Sequence, residues 1–65
     1  MNERDQITAI GNSARGGALV GFFVDDDAKA DRYVAKLRAQ FPAIVIVDRH
    51  PMLGAVLVRV RGAAN

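Results

Sequence analysis

Apolar positions along this chain fall into blocks whose spacing changes from one block to the next. Ala18-Leu19-Val20-Gly21-Phe22-Phe23-Val24 is a near-continuous apolar run, and its length and its aromatic and β-branched content predict a buried strand. Ala43-Ile44-Val45-Ile46-Val47-Asp48 predicts a second, strongly β-branched strand. Ala55 to Arg61 alternates instead, with Val56, Val58 and Val60 on one face and Leu57, Arg59 and Arg61 on the other. Between the first two strands, Ala30, Tyr33, Val34, Leu37 and Phe41 recur at three- and four-residue spacing. That period stacks them on one side of a helix over residues 28–41 and leaves Lys29, Arg32 and Lys36 on the other. Asp25, Asp26 and Asp27 precede the helix, where a carboxylate can cap free backbone N–H groups, and Pro42 closes it.

The remaining segments are weaker. Residues 1–6 read as a frayed polar lead-in, Ile7 to Ile10 as a short β-leaning strand, and Gly11 to Gly17 as a loop. Arg49 to Gly54 reads as a hairpin connection punctuated by Pro51 and Gly54, and residues 63–65 as a frayed tail. A strand–helix–strand crossover is right-handed with parallel strands, so the last strand can slot between the first two, antiparallel to both. The short N-terminal strand would pair along the outer edge of the first. Residues 1–65 thus form one small α+β domain: a three- to four-stranded, mainly antiparallel sheet with one helix on one face, a split β-α-β or half-ferredoxin-like arrangement.

One helix covers one face of such a sheet, yet the first two strands are apolar on both. Leu19, Phe23, Val45, Val47 and Leu57 are left without cover within the chain and form the predicted interface. Each large apolar side chain contributes about 1.5–3 kcal/mol when buried, so five left in water forfeit on the order of 10 kcal/mol, comparable to the net stability of a whole domain. A homodimer is the expected solution, since two-fold dimers are the commonest assembly. The alternative covers are a partner protein, the N-terminal segment or the hairpin.

Composition narrows the chemistry. Sixty-five residues leave no room for a cleft between domains, and the absence of cysteine excludes disulfides and thiolate metal sites. A 51% hydrophobic, 25% charged chain belongs with folded proteins, and a net charge of +2 is too small for a strongly basic field. No apolar run approaches the roughly 20 residues of a membrane span, and the N-terminus lacks a secretory pattern, so the expectation is a cytoplasmic protein without a membrane partner.

The motifs that suggest chemistry each lack a necessary part. The Gly11–Gly17 loop has no Lys and no Ser or Thr after its last glycine and leads into a strand, unlike a phosphate-binding loop. Asp25–Asp27 lacks the alternating spacing and distant glutamate of a calcium loop. His50 near Asp48 has neither a nucleophile nor a second carboxylate predicted beside it. No enzyme activity, catalytic residue, cofactor or metal is therefore expected. Basic residues remain as candidate contacts to a partner or to phosphates: Lys29, Arg32 and Lys36 along the helix, Arg49, Arg59 and Arg61 as a second cluster, and Arg15 at the tip of the loop.

Gly21-Phe22, Ala30, Ala35-Lys36-Leu37-Arg38-Ala39-Gln40-Phe41-Pro42-Ala43 and Val58-Arg59-Val60-Arg61-Gly62 resemble the first half of a SPOR domain over residues 18–62. That family binds glycan strands of the bacterial cell wall on a ferredoxin-like sheet. The resemblance implies topology, and no glycan-contacting residue carries over. The expected function is a small non-enzymatic protein–protein interaction module: an adaptor, inhibitor or regulator of the kind phages and plasmids encode. It would bind itself and a further protein through the second sheet face. Nucleic-acid binding through the basic residues is the alternative, and SPOR-like glycan binding a third.

Overall fold

Asn2 accepts a hydrogen bond from the Asp5 backbone N–H at 2.8 Å, and this cap starts the first helix, α1, Glu3–Ser13. The computed structural model describes residues 2–62; the frayed tail expected at 63–65 lies outside them. α1 corrects three expectations at once: the polar lead-in joins the helix from Glu3, Ile7 to Ile10 is helical, not a strand, and Gly11 to Ser13 of the expected loop form the end of the helix. The reason is spacing. Ile7, Gly11 and Ala14 are buried and Ile10 is half-buried, so positions 7, 10, 11 and 14 form one helical stripe against the rest of the protein. A three-residue 3-10 turn, Arg15–Gly17, follows, and Gly16 and Gly17 take φ of 75° and 86° to turn the chain into the sheet.

Strand β1, Leu19–Val24, leads to helix α2, Asp27–Gln40. Asp26 caps α2, accepting from the Lys29 N–H at 2.8 Å, so one of the three aspartates serves as anticipated. Ala30, Tyr33 and Leu37 are buried on its inner side, and the Phe41 N–H closes the last turn on the Leu37 carbonyl. Strand β2, Val45–Met52, and strand β3, Ala55–Arg61, complete the chain. β2 runs four residues beyond the expected strand, through His50 and Pro51, and the hairpin shrinks to Leu53 and Gly54, with φ of 75° at Gly54. Proline is tolerated there because β2 is an edge strand, where a missing N–H breaks no ladder.

The sheet order is β1-β3-β2, with β3 antiparallel to both neighbours, so the insertion of the last strand between the first two is as expected. Three strands and two helices make a small α+β protein, with two helices in place of the one expected and no fourth strand among the described residues. Both helices pack on the same side. The core between them and the sheet comprises Ile7, Ala14, Val24, Ala30, Tyr33, Leu37, Ile44, Val56, Val58 and Val60. Phe22 packs against this core with its ring stacked on Tyr33, centroids 5.9 Å apart.

A polar seam joins the helices. Glu3 accepts from Arg32 Nη2 at 2.8 Å and from Lys36 Nζ at 2.5 Å, the Tyr33 hydroxyl donates to Gln6 at 2.5 Å, and Gln40 donates to Thr8 at 2.8 Å. The Arg32 and Lys36 bonds hold the Glu3 carboxyl at a pKa of about 2, down from an ordinary 4.5.

Candidate interaction surface

The side of the sheet away from the helices is open. Strand register arranges it in rows: Leu19, Arg61 and Val45 across one end; Gly21, Arg59 and Asp48 next; then Phe23, Leu57 and His50; and Ala55 with Met52 beside the hairpin. Phe23 is 66% exposed and Val45 56%, and Leu19, Val47 and Met52 are also exposed large hydrophobics. Leu57 sits in the middle of the face, half-buried between its cross-strand neighbours.

A β-bulge decides what the second half of β2 presents. Ile46 pairs with Val60 but Asp48 pairs with Arg59, which leaves Val47 as the extra residue. Alternation turns Val47 outward after the inward Ile46, and the register then turns Asp48 outward as well. Arg49 is consequently sent to the helix side. There it donates to Asp31 at 2.7 Å and to the carboxylate and carbonyl of Asp27 at 2.9 and 3.0 Å. His50, in place of standing at a hairpin tip, lies within β2 on the open side, with Nε2 3.3 Å from Asp48 Oδ2.

Asp48 and Arg59 form a two-pronged pair: Arg59 Nε donates to Oδ1 at 2.6 Å and Nη2 donates to Oδ2. The guanidinium, and secondarily His50, hold the Asp48 carboxyl below the usual carboxylate range, and the same pair raises Arg59. The face therefore combines apolar positions with the internally neutralised Asp48–Arg59 pair, with Arg61 between Leu19 and Val45 and His50 beside Leu57.

The basic residues are largely occupied. Lys29 pairs with Asp25 at 3.5 Å, Arg32 and Lys36 with Glu3, Arg49 with Asp27 and Asp31, and Arg59 with Asp48. Among the described residues, Arg15 and Arg61 are the two candidate contacts without an ion pair; both are exposed. Arg49 is not brought together with Arg59 and Arg61, because the bulge puts it on the opposite side of the sheet. Met52 and the Asp48–His50 contribution to the face were not singled out from the sequence, since the bulge that places them has no residue signature.

Among the described residues no group of three or more His, Cys, Asp or Glu is placed to hold a metal ion, and no helix is long and apolar enough to cross a membrane. Compared with protein-family models, curated proteins and solved structures, the chain matches none.

Proposed function

We propose that this protein is a non-enzymatic interaction module whose working surface is the open side of its sheet, and that a second copy of the chain occupies that surface. One observation carries the reading. Two helices pack on one side of the sheet, and the other side keeps Leu19, Phe23, Val45, Val47 and Met52 exposed. Large contiguous apolar patches on small proteins mark places where something docks.

Self-association is supported by size and charge. Three strands spaced about 4.8 Å apart and about 20 Å long present roughly 300 Å² in projection. Two such faces stacked on each other remove on the order of 1,000 Å² of accessible surface, at the threshold of a specific interface. Asp48 neutralises Arg59 within the face, which leaves Arg61, at one end of the sheet, as the one arginine there without an ion pair among the described residues. The internal pairing of Lys29, Arg32, Lys36, Arg49 and Arg59 removes most of the free cation that nucleic-acid binding would use.

Sedimentation velocity over a micromolar concentration series tests the reading. The wild-type protein should associate, and Val45→Asp or Val47→Asp, each at an already exposed position, should lower the sedimenting mass while the circular dichroism spectrum stays unchanged. A wild-type protein that is monomeric throughout the series overturns it.

A further inference from the structure

The two helices finish at the same end of the molecule. Gly11, in the last turn of α1, lies against the Phe41 ring at the end of α2, and Gly62, just after β3, lies against Ala14 and Arg15. Between these ends is a hollow of about 390 Å³, within the size range of small-molecule sites. One wall is the turn between α2 and β2, where Pro42 and Ala43 stand between a half-buried Phe41 and a buried Ile44. Gly11 and Gly62 also line it. A Cβ on the first would meet the Phe41 ring, and on the second the Ala14 carbonyl, so this wall is closely packed and its ring is held in place.

The charge of the hollow has one sign. Arg15 is the one charged side chain lining it, and it makes no ion pair among the described residues. The seven carboxylates of the chain lie elsewhere: in the first two turns of the helices, just before α2, or beside Arg59. Helix C-termini disfavour anions through their free carbonyls. Here four carbonyls near those ends are already taken: Ile10 accepts from Ala14, Leu37 from Phe41, Phe41 from Ile44, and Ala14 from Gly62. The Gln40 amide nitrogen, also at the hollow, donates to Thr8.

We propose that this hollow binds a small aromatic monocarboxylate, its carboxylate on the Arg15 guanidinium and its ring against Phe41, Pro42 and Ile44. The charge selects the anion. A single guanidinium matches one carboxylate through two parallel N–H donors, whereas a phosphate group brings nearly two charges to be met by one cation. The wall selects the body, since a flat ring stacks on Phe41 and covers apolar surface that an inorganic ion would leave wet. The site is separate from the open side of the sheet. Arg61 precedes Gly62 but belongs to the row with Leu19 and Val45 and does not line the hollow. Binding here is therefore independent of what covers the open face.

Amide spectra of the isotopically labelled full chain, titrated in phosphate-free buffer, test the proposal with three probes: 2-naphthoate, its neutral amide 2-naphthamide, and inorganic phosphate. The acid should shift the Arg15, Gly16, Ala43, Ile44 and Gly62 amides saturably. It should bind about fivefold more tightly than the amide, the upper range for an ion pair in contact with solvent. Phosphate should give no saturable shift there. Arg15→Gln, at an exposed position, should abolish the preference for the acid while 2-naphthamide still binds. Arg61→Gln removes the same charge from the open side and should leave that preference intact. Shifts that do not saturate, or that fall on open-side residues such as Leu57 and His50, would overturn the proposal. So would equal affinity for acid and amide, saturable binding of phosphate at the same amides, or a preference that survives Arg15→Gln or is lost equally in Arg61→Gln. None of these results touches the open-face reading, which rests on sedimentation.

Discussion

Gly62 donates its backbone N–H to the Ala14 carbonyl at 2.9 Å, tying the end of β3 to the end of α1. A Cβ built on Gly62 would overlap that same carbonyl, and backbone on both sides leaves little room to yield. Gly62→Ala should therefore destabilise the protein by about 1–3 kcal/mol, the usual cost of forcing extra bulk into packed structure. Urea denaturation should show the lower midpoint, and the Gly62 amide should lose protection from exchange. An unchanged midpoint would mean that the two segments are not held together there.

Acid should loosen the seam between the helices. The Glu3 carboxyl titrates at about 2 in the folded protein and at an ordinary 4.5 when unfolded. A depressed folded value means that the stabilisation is fully present above 4.5 and is lost as pH falls toward 2. Thermal melts of wild type and Glu3→Gln should differ at pH 6, with the wild type more stable, and should converge as pH drops through that window. A difference that persists undiminished at pH 2 would contradict the assignment.

Leu37 is fully buried where α2 meets the sheet. Truncation to alanine should cost about 2–5 kcal/mol, from lost burial and the cavity left behind. In a domain this small that approaches the entire folding free energy, so Leu37→Ala should be largely unfolded at moderate temperature by circular dichroism.

Deletion of Val47 should be tolerated. The register places Val47 as the residue without an opposite number, and removing it lets Ile46 and Asp48 keep Val60 and Arg59 as partners in a regular ladder. Cross-strand contacts between Asp48 and Arg59 should survive in nuclear Overhauser spectra, as should the Met52–Ala55 closure of the hairpin. A shift of the whole β2 register after deletion would show that the bulge is structural and not local.

The three strands and α2 were legible because their signals are strong and local: β-branched runs, a clean alternation in Val56, Val58 and Val60, and a three–four stripe between an aspartate cap and Pro42. α1 was not, because Ile7 and Ile10 favour strands intrinsically and Gly11 weakens a helix. Its stripe becomes visible only when Gly11 counts as a contact position, which it is, since Phe41 lies against it. The uncovered face followed from counting apolar sides against helices, and it survived the appearance of a second helix because α1 joined the side already covered. The destination of Arg49 could not follow from alternation, since one unpaired residue reverses the phase of everything after it.

β3 comes last of the three strands in chain order, yet among the described residues β1 and β2 have no neighbour in the sheet except β3. During synthesis β1 therefore waits longest for its partner, whereas β2, joined to β3 by Leu53 and Gly54 alone, can pair as soon as both are made. The sheet assembles only when its centre arrives, and the longest reach in it joins Leu19 to Arg61. Such non-local closure makes for slow folding and a window of vulnerability to aggregation.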